Sequence, residues 1–486
     1  MHPSFPGLAG RCTFGVHNNS GINGIRALAE RVFFSPDESG QLVPPPRCTA
    51  DVNTTLSGFK AQLLKAVGGA RPLSREQFVS FYTGRRRLVY ERAAESLAAR
   101  PLTKGEFGVR NAFVKAEKIN FTAKPDPAPR VIQPRDPRYN VEVGVYLKHI
   151  EHKIYHGIAE MFGGPTVMKG YNAQEVAAHM HDMWNEFNDP VAVGLDASRF
   201  DQHVRPEMLA WEHSVYAGLY HGADRERLQW LLSGQIKNKC TMRTPDCQIK
   251  YLVDGSRMSG DMNTALGNCL IMCALIHRLA QERKVRVRLA NNGDDCVVFC
   301  ERRSLTRLIE GLGEWFRTYG FNMKQESPVS CFEEVEFCQA HPVCSSTGWI
   351  MVRDPRVSIS KDAICTVRDY GHGAAARKWL QAVGECGTNM AGGLPMLDAY
   401  YSAYLRHGTG KHLPTVVAES GMYMLSKGLH RAGVEISDGC RVSFFKAFDV
   451  SPSWQRDFEE HMAGVTFSIP ASPCIRPTNA PGFLPF

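Results

Sequence analysis

Val285-Arg286-Val287-Arg288-Leu289-Ala290-Asn291-Asn292-Gly293-Asp294-Asp295-Cys296-Val297-Val298-Phe299-Cys300 reads as two β-rich runs joined by a polar turn that carries two adjacent carboxylates. Val, Leu and Phe favour a pleated, half-buried surface, whereas Asn291, Asn292 and Gly293 offer the turn conformations that β-branched residues resist. The pattern predicts a hairpin with Asp294 and Asp295 presented at its tip rather than buried. Neighbouring carboxylates repel, so a fold that keeps both ionised usually offers them a cation, and hard oxygen donors suit Mg²⁺ or Mn²⁺. Alone, an Asp-Asp turn also fits solvent-exposed punctuation. The surrounding chain decides between the two.

Upstream of the hairpin, Gly255 to Asn268 is a small-residue loop entering an apolar helix expected over 264–280. Thr264 and Asn268 stand at i, i+4 and share a helix face, which Ser259 could join. Ser259 as a helix cap, with glycines that permit close packing, is the simpler reading of the same residues. Further upstream, Val191-Ala192-Val193-Gly194-Leu195 is a short apolar strand ending at Asp196, and Asp201 follows in the next turn. Pro206 then opens a helix expected to run to Tyr220. Strand, acidic turn and helix thus follow one another.

Downstream, Ser304 to Tyr319 reads as a helix stopped by Gly320, followed by Phe321-Asn322-Met323-Lys324 and a second hairpin through Val335-Glu336-Phe337-Cys338-Gln339. Beyond Trp349 the pattern weakens; 378–383, 397–405 and 416–429 look helical and the tail from Pro470 irregular.

The N-terminal part contains two helical patterns, over 21–34 and 73–100. The second has Ser74 and Gln77 in capping-box spacing, Gly84 as a possible kink and Arg85-Arg86-Arg87 on what reads as a solvated or RNA-contacting face. The stretch from Phe113 to Arg138 is different in kind. Its prolines forbid a long helix and stiffen an extended ribbon bearing Lys115, Lys118, Lys124, Arg130, Arg135 and Arg138. Such a ribbon suits either a rigid linker or preorganised charge for a triphosphate.

The 486 residues are too many for one simple core, and the net charge of +8 suits an acidic polymer partner without establishing one. The 15 scattered cysteines read as reduced thiols of a cytosolic protein. The most apolar run, Cys269 to Ile276, is far short of the roughly 20 residues that cross a bilayer. Leu405 stands where a phosphate loop ending at Gly410-Lys411 would need its first Gly, and Cys331, Cys338, His341 and Cys344 match no standard zinc spacing.

In order and separation, Asp196-x₄-Asp201, Ser259-Gly260-x₃-Thr264-x₃-Asn268 and Gly293-Asp294-Asp295 resemble motifs A, B and C of viral RNA-dependent RNA polymerases. Lys324 resembles motif D, Phe337-Cys338-Gln339 the motif E hairpin, and Lys115 to Arg135 the basic fingers loop, motif F. The phrases Gly15-Val16-His17-Asn18-Asn19-Ser20 and Pro129-Arg130-Val131-Ile132-Gln133-Pro134-Arg135 narrow the resemblance to the tombusvirus-like group, with dianthoviruses and luteoviruses.

The resemblance implies an α+β right-hand polymerase of fingers, palm and thumb with an antiparallel palm sheet. It places an N-terminal extension and fingers at 1–190, palm at 191–215, a fingers insertion at 216–254, palm again at 255–345, and thumb and tail at 346–486. It implies two Mg²⁺ ions, replaceable by Mn²⁺, on Asp196 and Asp294 with Asp295 assisting. Lys324 is the implied general acid for pyrophosphate; Lys115, Lys118, Arg130 and Arg135 are the implied triphosphate ligands; Asp201, Ser259, Gly260, Thr264 and Asn268 line the implied nucleotide pocket. The implied partners are template and product RNA, NTPs, a viral auxiliary replication protein and host factors. Family members arise by readthrough or frameshift from a shorter membrane-anchored protein, so the expected setting is the cytoplasmic face of host membranes, reached through an upstream segment or a partner. A reverse transcriptase would carry an aromatic residue where Asp201 stands, and a basic RNA-binding protein would leave the ordered acidic motifs unexplained.

Overall fold

The computed structural model describes residues 14–37, 39–365, 373–410, 421–469 and 483–485. Four strands carry the acidic turn: β1 (Pro190–Ala197), β2 (Val287–Asn292), β3 (Asp295–Glu301) and β4 (Met323–Gln325). They lie in the order β2-β3-β1-β4, antiparallel throughout. The two central strands, β1 and β3, are almost wholly apolar before their acidic ends because both faces of the sheet are covered there, unlike a strand with one wet face. Val193, Leu195, Cys296 and Val298 join the largest core, with helix α1 (Thr264–Arg283). Ala192, Val297 and Phe299 turn the other way, onto Met180, Met183 and Phe332. Side chains alternate along each strand, so Asp196 and Asp295 continue the second face to the end where that cover stops.

Helix α1 is buried on nearly all sides, with residues from Cys269 to Ile276 at most 1% exposed. That explains its all-round apolar sequence. A second four-stranded sheet orders Val131–Ile132, Val109–Val114, Lys237–Arg243 and Gln248–Asp254, joining segments from either side of β1 in the chain. A further core unites the hairpin Ala340–Ser345/Gly348–Arg353 with the helices Gly373–Ala391, Leu397–His407, Asp438–Phe448 and Pro452–Gly464. Among the described residues no helix is long and apolar enough to cross a membrane, and the cysteines are free.

Several expected elements differ. The pattern over 73–100 is two helices, Arg75–Ser80 and Gly84–Ala99; Ser74 and Gln77 do form a capping box, but Gly84 at φ 59° starts a new helix rather than kinking one. Likewise 304–319 is broken into Leu305–Ile309 and Leu312–Thr318, with Gly311 at φ 61° between them. The Lys378–Val383 helix extends over Gly373–Ala391. Of the helix expected over 416–429, residues 421–429 are described, and only Gly421–Ser426 is helical; the tail from Pro470 lies outside the described residues except for Phe483–Pro485, a strand paired with Phe14–His17.

Candidate active site

The turn between β2 and β3 is closed by the pair Asn292–Asp295, so Gly293 and Asp294 are its two central residues. Gly293 has φ 89°, the conformation a two-residue hairpin turn asks of its first position and one that a side chain resists. Asn291 and Asn292 therefore belong to the strand, not to the turn as their composition suggested. Asn291 still shapes the turn: its buried side chain donates to the Gly293 carbonyl (2.7 Å) and accepts from the Gly293 N–H (3.2 Å).

Strand register brings the other groups in. Asp196 on β1 lies opposite Asp295 on one side and Lys324 on the other. The carboxylates of Asp196, Asp294 and Asp295 reach solvent, although protein atoms crowd around Asp294 and Asp295. Burial raises the carboxyls of Asp294 and Asp295, and neighbouring carboxylates raise them further, Asp196 for both and Asp294 for Asp295. Among the described residues none of the three is in a salt bridge. Their donor chemistry fits hard divalent cations. Among the described residues no group of three or more His, Cys, Asp or Glu side chains is placed to hold a metal ion.

Asp201 lies in the short helix Phe200–His203 and accepts from Asn268 Nδ2 at 2.8 Å. Asn268 Oδ1 accepts from Arg257 Nε at 3.1 Å. Because a guanidinium only donates, this second contact orients the amide and turns its NH₂ toward Asp201. Arg257 forms a fully buried ion pair with Glu212, which also accepts from Asn263 (2.6 Å) and Tyr216 (2.9 Å). Burial raises the Asp201 carboxyl, against the opposing pull of Asn268 and Arg257.

Other expected ligands stand elsewhere. Arg135 is not presented at the acidic turn: its side chain is fully buried in an ion pair with Asp261 (2.6 Å) and also bonds Asn238 and the carbonyls of Phe107 and Gly234. Every edge of its guanidinium is thereby committed to joining segments far apart in the chain. Lys118 Nζ donates to the Lys361 carbonyl at 3.0 Å, tying the basic ribbon to the C-terminal half. Lys115 pairs with Glu117 at 2.7 Å. Arg130, paired with Glu117 at 3.4 Å, stays exposed, and its charge lowers the carboxyls of both Asp201 and Asp294. Ser259 accepts the Gln133 N–H at 2.9 Å, and a Cβ on Gly260 would lie 2.4 Å from the Gln133 carbonyl. These two residues dock the loop on the 131–134 ribbon. Thr264 donates to the carbonyls of Met258 and Asp261, holding the same loop.

The second hairpin is Ala340–Ser345/Gly348–Arg353, and Phe337-Cys338-Gln339 precedes it as a tight turn. Cys338 and Gln339 adopt φ 53° and 61°, an uncommon conformation for non-glycine residues that carries strain. It brings the Cys338 thiol to Asn292 Nδ2 (3.0 Å) and its N–H and thiol to the Asp295 carboxylate; burial and that carboxylate push the thiol up to about 12.

Lys169 went unnoticed in the sequence. Residues 166–168 pair with Asn291 as a short parallel bridge, and this sets Lys169 Nζ 2.6 Å from Asn292 Oδ1, where its charge lowers the Asp294 carboxyl. No local pattern marks it, since its contact with Asn292 spans 123 residues of chain.

A family model described as viral RNA dependent RNA polymerase matches residues 2–469. The chain is 45% identical over 468 residues to the RNA-directed RNA polymerase of Maize chlorotic mottle virus (isolate United States/Kansas/1987), covering 95% of this chain and 48% of the relative. The RNA-directed RNA polymerases of Turnip crinkle virus and Melon necrotic spot virus are 46% and 42% identical, covering 94% and 97% of this chain and 58% and 60% of their own lengths. The chain thus spans about half to three-fifths of these relatives.

Proposed function

The chain belongs to the viral RNA-dependent RNA polymerase family, and on that premise we propose that it copies RNA for a positive-strand plant virus, adding ribonucleoside monophosphates from NTPs to an RNA 3′ end with release of pyrophosphate. The observation that carries this reading is the register of Asp196 between Asp295 and Lys324, beside the Asp294 turn. The sheet β2-β3-β1-β4 is then the palm, the sheet around Val109–Val114 the fingers, and the C-terminal helices the thumb.

Asp196, Asp294 and Asp295 would hold two Mg²⁺ ions, which when bound lower the pKa of a 3′-hydroxyl and stabilise charge on the leaving phosphate. The chain's own groups do the rest. Arg130 holds the triphosphate, Lys324 delivers a proton to the departing pyrophosphate, and Lys169 orders the turn through Asn292. Asn268 and Asp201 recognise the ribose. From the family resemblance alone come an auxiliary viral replication protein and host factors as partners, and a replication complex on the cytoplasmic face of membranes.

The deciding experiment incubates the purified chain with template RNA, four ribonucleotides and Mg²⁺ and sizes the labelled product. Absence of template-length RNA, or synthesis that Asp294→Ala leaves untouched, overturns the reading.

Sugar choice is a separate expectation. A deoxyribose would leave a polar group at Asn268 or Asp201 without its partner, worth about 1–3 kcal/mol or about 5- to 150-fold in selection. Asn268→Ala is expected to lower kcat/KM for a ribonucleotide more than for its deoxy counterpart. Equal losses for both would show that Asn268 serves only to pack α1. Arg130→Ala is expected to raise the nucleotide KM about tenfold or more with little change in RNA affinity; lost RNA binding with normal nucleotide kinetics would move Arg130 to the template path.

A further inference from the structure

The tight turn over residues 337–340 runs against its own backbone preferences. Phe337 and Ala340 exchange both backbone hydrogen bonds, at 2.9 and 3.1 Å, so Cys338 and Gln339 are the two central residues of a reversal in which both φ angles are positive. That is the signature of a type I′ turn, which Asn-Gly or Asp-Gly adopts readily and other L residues resist. Cys-Gln is neither of the favoured pairs. A turn whose only duty was to reverse the chain would gain stability from them, so the residues that stand there point to a second duty. Gln339 is exposed, whereas Cys338 is half-buried.

The thiol meets the closing pair of the acidic turn. Asn292 Nδ2 donates to Cys338 Sγ at 3.0 Å, and Asn292 Oδ1 accepts from Lys169 Nζ at 2.6 Å. An ammonium only donates, so Lys169 fixes which edge of the amide is oxygen and leaves the NH₂ edge to the sulfur. Among the described residues that NH₂ edge has no other partner. The amide is gripped at both ends by segments 123 and 46 residues away in the chain. Asn292 in turn lies directly opposite Asp295, and the row continues across the sheet through Asp196 to Lys324. Residues opposite one another share a face, so these four side chains stand side by side. The sulfur accepts from Asn292 and still has its proton to offer the Asp295 carboxylate.

We propose that Cys338 is a positioning residue for the acidic turn: its thiol fixes the Asn292 amide and, through the Asn292–Asp295 pair, sets where Asp294 and Asp295 present their carboxylates. The strained turn is what holds the thiol in that place. The consequence for nucleotide addition rests on the polymerase reading; the coupling of Cys338 to the carboxylates does not.

The test compares Cys338→Ala, Cys338→Ser and the double variant Cys338→Ala with Gln339→Gly in the full chain, using Mn²⁺ as the probe of the carboxylates. Binding is followed without nucleotide or RNA, through the free-ion electron paramagnetic resonance signal, beside a melting curve and single-nucleotide extension. Cys338→Ala is expected to weaken Mn²⁺ binding and to slow extension, each about 10-fold or more, as losing a group that orients a metal ligand does. Serine accepts and donates where the thiol does and restores most of both. Glycine at 339 relieves the neighbouring backbone, so the double variant melts above Cys338→Ala yet keeps its weak Mn²⁺ binding. The double variant also carries the test if Cys338→Ala alone does not fold. Mn²⁺ binding that recovers together with the melting temperature makes lost stability the whole effect and overturns the proposal. Wild-type Mn²⁺ binding in Cys338→Ala overturns it as well, and equal losses in the serine and alanine variants overturn the hydrogen-bonding role of the thiol. A wild-type chain that binds Mn²⁺ and makes no RNA defeats the polymerase reading and leaves the Mn²⁺ comparison to decide the positioning.

Discussion

Replacing Asp294 or Asp196 with alanine is expected to slow nucleotide addition by more than about 100-fold while the protein stays folded. Loss of a group that only orients a metal ligand typically costs about 10- to 100-fold, and loss of the ligand itself removes more. Folding survives for a local reason. Asp294 occupies the second position of a turn held by the Asn292–Asp295 pair and by the Asn291 side chain, neither of which needs the Asp294 carboxylate. Removing one of several repelling carboxylates also relieves strain in the cation-free protein. The check is single-nucleotide extension beside a melting curve. Wild-type extension by a well-folded Asp294→Ala protein would remove the carboxylate from the chemistry.

Glu212→Gln should carry the largest stability cost of any single isosteric change near the site, about 3–5 kcal/mol. Glu212 and Arg257 are both fully buried, and a Cβ on Gly267 would lie 2.3 Å from Glu212 Oε1 and 2.4 Å from Arg257 Nη2, so α1 sits directly on the pair. Burial works against the Arg257 charge and the Glu212 carboxylate more than offsets it. Neutralising the carboxylate leaves the cation without compensation and no space for water. The effect travels further, because Arg257 Nε orients Asn268, which bonds Asp201. The variant is expected to melt several degrees lower and to discriminate less between ribo- and deoxyribonucleotides. A melting temperature equal to that of wild type would show that the pair does not hold this part of the fold.

Much of the site's framework was legible in the chain. The β-rich runs on either side of Asp294-Asp295 identified their hairpin, the apolar run before Asp196 its strand, and Ser74 with Gln77 a capping box, because each depends on residues only a few positions apart. Breaks were harder to see. Gly84 and Gly311 interrupt patterns whose periodicity continues across them, and a positive φ leaves no mark on that periodicity.

What the amino-acid sequence determined by itself was the set of local elements, the order of the acidic motifs and the family resemblance they carry. The tertiary structure alone decided which charges stand near the acidic turn. Arg130 and Arg135 sit on one ribbon with the same side-chain chemistry, yet Arg130 is left exposed near Asp201 and Asp294 while Arg135 is buried against Asp261, 126 residues away. Lys169 reaches the site only through its contact with Asn292, 123 residues distant. A charged side chain acts through the partner that neutralises or orients it. That partner is chosen by long-range packing, whereas the turn and strand preferences legible in sequence arise from sterics within a few residues.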